Sequence, residues 1–226
     1  MKSFENLPKE MQNDKVREYY DIVAKRQAAY IIKCVGDFIL ALAATIILIL
    51  PMLVIAAVIK CTSKGPVIFK QTRVGRYMKP FKIWKFRTMR TDAEKSGKQL
   101  TVGERDPRIT KIGGFLRKYR LDELPQLVNI LLGQMSFVGA RPEVPRYVKE
   151  YSGAMSATLL LRPGVTGFAS IRFKDENELL GKQQDPEQAY IEKILPIKMN
   201  LDLQYVEQFG VWTDIKTMLE TVKAVL

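Results

Sequence analysis

The hydrophobic positions of this chain are concentrated in one place. From Phe38 to Ile59 the sequence reads FILALAATIILILPMLVIAAVI, with no charged residue. A helix of that length spans about 30 Å, the thickness of a bilayer's hydrocarbon core. The segment begins too far into the chain for a signal peptide, and no small-residue cleavage site leads from it into a polar mature sequence. Elsewhere the apolar positions are periodic. Pro66-Val67-Ile68-Phe69 and Phe81-Lys82-Ile83-Trp84-Lys85-Phe86 read as short strands around a turn at Val74-Gly75-Arg76, with Phe81 and Ile83 alternating with lysines. Residues 91–108 are polar and loop-like and end in an Asp106-Pro107-Arg108 turn. A helix is expected from Asp122, Glu123 and Pro125 onward. Leu124, Leu127, Val128, Leu131 and Leu132 form its apolar face, and Gly133 stops it.

Arg162-Pro163-Gly164 marks a turn, and residues 185–208 look helical. The final helix carries Val211, Trp212, Ile215, Met218, Leu219, Val222 and Val225 at helical spacing, a face suited to a core or to a membrane interface. Residues 1–26 are polar and charged, and read as a helical or partly disordered extension. No internal repeat or low-complexity run interrupts the pattern.

The ends of the apolar segment change its reading. A single transmembrane span is the plain interpretation. Pro51 stands inside it, however, and proline removes a backbone donor and bends or breaks a helix. Both flanks are also basic: Lys25, Arg26 and Lys33 on one side, and on the other a run from Lys60 to Arg90 without any acid. Lys- and Arg-rich flanks stay in the cytoplasm. A straight span cannot place both there, whereas a re-entrant helix broken at Leu50-Pro51 can. Asp37, at the segment's edge, is an interfacial cap or a partner for Lys33.

Across 226 residues the formal charge is +12, which suits an anionic partner: nucleic acid, acidic lipid or a phosphorylated substrate. No recognised nucleic-acid module is present, and the apolar segment argues against one. The chain has no histidine, so acid–base or metal chemistry falls to carboxylates, lysine, tyrosine or cysteine. Cys34 and Cys61 form neither a zinc motif nor a disulfide framework.

The sharpest local signal is Arg117-Lys118-Tyr119-Arg120-Leu121-Asp122-Glu123-Leu124-Pro125-Gln126. Adjacent acids at a helix start have an ordinary explanation as caps. Against it, the pair lies among Arg117, Lys118, Arg120 and, further on, Arg141. Cations favour ionised carboxylates, which can act as phosphoryl nucleophiles or bind Mg²⁺ together with phosphate oxygens. Arg141, framed by Gly139-Ala140 and Pro142, is placed to aim a guanidinium at phosphate. The Lys60–Arg90 block reads mainly as a solvated or lipid-facing surface.

These residues resemble the bacterial sugar transferase family, the monotopic phosphoglycosyl transferases. The resemblance runs from about residue 30 to the C-terminus through KCVGDFILAL, LPMLVIAAVIK, GPVIFKQTRVGRYMKPFKIWKFRTM, DPRITKIGGFLRKYRLDELPQLVNILLGQMSFVGARPEV, LRPGVTGFASI and YVEQFGVWTDIKTMLETV. It implies an α/β, mostly α, fold: a polar extension (1–26), a re-entrant membrane helix-break-helix (27–60), and a small catalytic domain (61–226) resting on the membrane with interfacial amphipathic helices. It places the protein on the cytoplasmic face of the bacterial inner membrane.

By the same resemblance Asp122 is the nucleophile. It attacks a UDP-sugar, releases UMP and passes the phosphosugar to undecaprenyl phosphate, a transfer of the EC 2.7.8 type. Glu123 assists as base or Mg²⁺ ligand. Lys85, Arg117, Arg141 and Arg172 would hold phosphates, and anionic lipid would surround the protein. A homodimer and the identity of the sugar stay open. Leu50 stands where the family often has serine, Ala140 where proline is usual, and Gly167–Arg172 departs from the family pattern in the region expected to contact the nucleotide sugar. The competing reading is a basic peripheral membrane adaptor without catalysis, which explains the charge but not LDELPQL beside GARP.

Overall fold

A computed structural model describes residues 1–91 and 106–225. The fold is α/β and mostly helical. Its helices are α1 (Asp14–Lys25), α2 (Gln27–Thr62), α3 (Lys111–Lys118), α4 (Gln126–Leu131), α5 (Pro145–Val148), α6 (Phe168–Arg172), α7 (Glu176–Gly181), α8 (Pro186–Ala189), α9 (Leu195–Gln208) and α10 (Val211–Val225). The strands β1 (Ile68–Val74) and β2 (Pro80–Phe86) form an antiparallel hairpin, paired from Ile68↔Phe86 to Val74↔Pro80. β3 (Ser136–Val138) and β4 (Gly164–Thr166) form a short parallel pair. The loop expected at 91–108 falls mostly outside the described residues. Its final turn is present, with the Asp106 carboxylate accepting from the Arg108 backbone at 3.0 Å.

The apolar segment is a single helix of 36 residues, about 54 Å at 1.5 Å per residue. The helical backbone runs through Leu50 and Pro51 without interruption, so the helix-break-helix expected there is not a break in the helix. A proline costs the carbonyl one turn back its donor, and this can bend the axis without ending the helix. One stripe of α2 faces protein along its length: Tyr30, Lys33, Asp37, Ala41, Ala44, Leu48, Met52, Ile55 and Ile59, every three or four residues. The rest of its surface is apolar and exposed, as at Ile39, Ile46, Ile47, Leu50 and Leu53.

Both ends of α2 are fastened to the same body. At the start, the Lys33 ammonium is 2.6 Å from Asp214 of α10 and 3.6 Å from Asp37, whose Oδ1 accepts from the Phe137 amide at 3.3 Å. Tyr205 completes this buried group by donating to Asp214 at 2.8 Å. At the far end, Ile59 packs on Phe86 and Leu116, and Arg87 donates to the Ser63 carbonyl at 2.8 Å.

α10 is amphipathic in the inverse sense. Asp214 and Thr217 are buried, and Thr221 meets Thr166 at 2.7 Å. Val211, Trp212, Ile215, Leu219 and Val222 are exposed, with Trp212 at 83%. This outward apolar face matches the interfacial alternative of the sequence reading.

The polar extension is part of the core. Short 3₁₀ turns at Phe4–Asn6 and Lys9–Met11 lead into α1, which Asn13 caps by accepting from Val16 at 3.0 Å. Leu7, Met11, Val16 and Val23 are buried against residues that include Ala157, Leu160 and Phe209.

One carboxylate is buried here without an ion-pair or side-chain hydrogen-bond partner. Asp202 of α9 is 1% exposed, and beyond the nearby Ala169 amide its oxygens find no partner. Burial pushes its pKa up to about 7, reinforced by Glu143 and opposed by Lys198 and the Ala169 amide. A carboxyl raised on folding stabilises the protein below its unfolded value near 4, and that contribution is lost as pH rises through 7. The full loss corresponds to about 4 kcal/mol. No imidazole obscures this window, because the chain has no histidine. Asp202→Asn should therefore flatten the fall in thermal midpoint between pH 5 and pH 8.5. Identical pH slopes in both proteins would contradict the assignment.

Candidate functional site

Four elements bring the charged residues together. Lys85 projects from β2, whose position is fixed by a side chain acting as a strand. Asn129 of α4, fully buried, accepts from the Trp84 amide at 3.0 Å and donates to the Lys82 carbonyl at 2.8 Å. This satisfies both backbone groups of the strand edge and docks α4 against it.

The acidic pair sits in the 3₁₀ turn Leu121–Glu123, just before α4. Arg120, which opens the turn, has a left-handed φ of 56°, a conformation unusual for a residue with a Cβ. Neither acid caps a helix. Glu123 instead points between two cations: Lys85 is 2.9 Å from its Oε1, and Arg141 grips both oxygens. The capping explanation therefore gives way to tertiary charge pairing.

Arg141 follows β3, and its placement depends on glycine. A Cβ on Gly164 would lie 2.2 Å from the Gly139 amide nitrogen, and one on Gly167 would lie 2.3 Å from the Gly139 carbonyl oxygen. Only side-chain-free residues allow this approach. It lets Arg141 also donate to the Val165 carbonyl at 3.2 Å. From behind, Arg73 donates to the Pro142 carbonyl at 3.0 Å. Glu143 is held by Lys198 at 3.1 Å and by the Tyr190 hydroxyl. Arg117 of α3 donates to the Thr88 hydroxyl at 2.9 Å. α3 comes close to this strand end because Gly113 presents no Cβ, which would lie 2.0 Å from the Thr88 carbonyl.

The two neighbouring carboxylates are pushed in opposite directions. Burial raises Asp122, with Glu123 adding to it and Lys85, Arg117 and Arg141 opposing. Burial would raise Glu123 too, but Arg141 and Lys85 overcome it and hold Glu123 well below the usual range. Burial lowers Lys85, and Glu123 counteracts this. The pair thus combines a carboxylate whose charge its cations favour with one whose charge burial disfavours. Such a divergence marks residues with separate roles.

Beside the pair lies a cavity of about 250 Å³. Ala44 and Leu48 of α2, together with Leu124, Leu127, Phe137 and Val165, form its apolar walls. Glu123, Arg120, Arg141 and Lys174 supply its polar end. The structure thus gathers Lys85, Glu123 and Arg141 by direct contact, with Asp122 and Arg117 in the same charged cluster. Arg172 is exposed on α6 and does not line the cavity, whereas Ser170, Ile171 and Lys174 do. Lys174, Arg73 and Asn129 were not singled out by the sequence reading. Lys174 stands in no local motif, Arg73 is one of many cations in the basic block from Lys60 to Arg90, and Asn129 is one polar residue inside an apolar helix pattern, a signal that could have found it.

The family model described as "Bacterial sugar transferase" matches residues 28–226. An Escherichia coli K12 protein named UDP-glucose:undecaprenyl-phosphate glucose-1-phosphate transferase is 40% identical over 200 residues, 85% of this chain and 39% of its own length. An Aeromonas hydrophila UDP-N-acetylgalactosamine-undecaprenyl-phosphate N-acetylgalactosaminephosphotransferase is 35% identical over 178 residues, covering 77% of this chain and 39% of its own. Exopolysaccharide production protein PSS of Rhizobium leguminosarum is 38% identical over 207 residues, 85% of this chain and 94% of its own. The chain therefore spans about two fifths of the first two relatives and nearly all of the third.

Proposed function

Because the chain belongs to the bacterial sugar transferase family, we propose that it transfers a sugar-1-phosphate from a UDP-sugar to undecaprenyl phosphate at the cytoplasmic face of the bacterial cell membrane. One observation carries this reading. A buried carboxylate pair, of which Glu123 is clamped by Lys85 and Arg141 and Asp122 lies in their field, adjoins an apolar cavity that the membrane helix helps to wall. A basic adaptor has no need for such a pair, since burying ionised groups is costly unless they are used or matched.

In the proposed reaction an Asp122 oxygen attacks the sugar-proximal phosphorus. The new bond is aspartyl O–P, the phosphoanhydride bond breaks, and UMP leaves with the bond electrons. A phosphate oxygen of undecaprenyl phosphate then attacks the same phosphorus and releases Asp122. Arg141, Lys85 and Arg117 hold the phosphate charge. Arg120 and Lys174 stand at the polar end of the cavity, where the acceptor phosphate would lie, with the start of its prenyl chain against Leu48 and Leu124. Glu123 serves first as the anchor that fixes Lys85 and Arg141.

Mg²⁺ fits this site in a shared mode. Among the described residues no three carboxylates or thiols converge, and Glu123 is already committed to cations. Asp122, with diphosphate oxygens and water, provides the hard-oxygen set. When bound, the ion would neutralise charge on the diphosphate. The deciding measurement is UMP release across a panel of UDP-sugars. Turnover that requires both polyprenyl phosphate and a carboxylate at position 122 supports the reading, and turnover independent of either overturns it.

α2 is proposed to enter and leave the bilayer on one side, bending at Pro51. Both of its flanks are basic, and its two ends are fastened to one body. Cys34 and Cys61, both free thiols, bracket the segment. An impermeant thiol reagent should reach both from the cytoplasmic side and neither from the other. Labelling from opposite sides would exclude the arrangement.

A further inference from the structure

A second groove, of about 470 Å³, lies between the first turns of α2 and the end of α4, and none of the catalytic residues line it. Its walls are Ile31, Val35 and Phe38 on one side and Leu131 and Leu132 on the other, with Tyr30 and Arg162 supplying polar groups. We propose that this groove binds one anionic glycerophospholipid, its phosphate on Arg162 and the Tyr30 hydroxyl, its acyl chain along Val35 and Phe38.

Arg162 presents unused donors. Among the described residues it makes no hydrogen bond or ion pair, although a guanidinium carries five N–H groups. Its head is held over Gly133, where a Cβ would come within 3.2 Å of it. Gly133 has a φ of 70°, so this close seat is one that glycine provides. Tyr30 points to the same ligand independently. It is 7% exposed, and its buried hydroxyl finds no oxygen or nitrogen partner. The neighbouring Cys34 thiol is a poor one. A buried hydroxyl left in this state is costly unless something supplies the bond.

Charge selects the kind of lipid. Arg76 stacks on the Tyr30 ring, its guanidinium carbon 4.4 Å from the centroid. No acidic side chain lines the groove. The two free oxygens of a phosphodiester match the Arg162 fork. The ammonium of a zwitterionic headgroup would meet cations and find no carboxylate. The walls are apolar and uncovered by protein: Ile31 is 54% exposed, Phe38 48% and Leu132 61%. The diffuse Lys60–Arg90 surface attracts acidic lipid by potential alone, whereas this groove offers a stoichiometric site.

The inference rests on α2 lying in the membrane but not on the transfer chemistry, so its test reads lipid rather than turnover. Native mass spectrometry of the full chain in detergent would be run with phosphatidylglycerol against phosphatidylcholine. One phosphatidylglycerol should be retained, in preference over phosphatidylcholine by about tenfold. Arg162→Gln should erase that preference, Arg162→Lys should keep part of it, and Tyr30→Phe should weaken it. Inorganic phosphate should not compete, since the chain contributes to binding. A phosphatidylglycerol carrying a diazirine in its acyl chain should place its adducts on residues 31–38 and 130–133. That map needs no variant and decides the matter if Arg162→Gln fails to fold. Wild-type preference surviving in folded Arg162→Gln, displacement by inorganic phosphate, or adducts spread evenly around α2 would each overturn the proposal.

Discussion

Replacing Asp122 with asparagine should lower UMP release by at least about a thousandfold while leaving the fold intact. Asparagine has the same shape but no charge to donate to phosphorus. The surroundings tolerate it: burial already disfavours the ionised form of Asp122, so removing the charge relieves a cost. Lys85, Arg117 and Arg141 remain in place and lose one competitor for the donor's phosphates. Binding of the UDP-sugar should therefore be kept or strengthened, and the loss should appear in kcat. A thermal melt, equilibrium binding of the UDP-sugar and mass spectrometry of quenched single turnovers check these three statements. Wild-type protein should carry a phosphosugar on Asp122, and the variant should carry none. Turnover within about tenfold of wild type would remove Asp122 from the reaction, because loss of a covalent nucleophile is rarely so mild.

Much of this site is readable from local sequence because its parts are short and contiguous. LDELPQL places two carboxylates on one turn, GARP stiffens the approach to Arg141, and the lysines of β2 alternate with its apolar positions. Such patterns are fixed by backbone geometry within a few residues. The hairpin and the apolar helix are legible for the same reason. What the local pattern cannot give is the partner at long range. Lys33 and Asp214 are 181 positions apart, and their pairing joins two helices whose polar residues each look like ordinary surface charges. Lys174 lines the cavity together with Val165 and Thr166 of β4 and with residues more than 100 positions away on α2.

The two amphipathic helices at the ends of the chain show a second limit. Periodicity identifies a face but not which side of it is wet. α1 carries many charges, yet Val16 and Val23 bury completely, since four apolar positions from residue 7 to residue 23 suffice to seat the extension on Leu160 and Phe209. α10 carries a broader apolar face and turns it outward, because its inward polar groups Asp214 and Thr221 have partners in the body, and the buried Thr217 hydroxyl is satisfied within the helix by the Thr213 carbonyl. An apolar face outranks a polar one for burial only when water is the alternative. At a bilayer surface that ordering reverses.

The other large effect is expected at the clamp rather than at the nucleophile. Glu123 is the shared counter-ion of Lys85 and Arg141, with 8% of its side chain exposed. Glu123→Gln would leave two cations facing each other in a desolvated site, and Arg141→Met would leave a carboxylate with Lys85 alone. Breaking such a pair from one side costs about 3 kcal/mol or more, most of it from the stranded charge. The double variant removes both charges and lets Lys85 fall back on Asp122, whose attraction already acts on it. It should therefore be more stable than either single variant, and a double-mutant cycle in chemical denaturation should give a coupling of about 1.5 kcal/mol or more. Activity should not recover along with stability. Arg141→Met and the double variant should both lose about a hundredfold or more in UMP release, because the guanidinium is needed where phosphate charge develops. If the cycle closes with no coupling, Glu123 and Arg141 do not depend on each other and the clamp is not what holds the site together. If the double variant regains wild-type turnover, Arg141 is a fold element and phosphate is held by other groups.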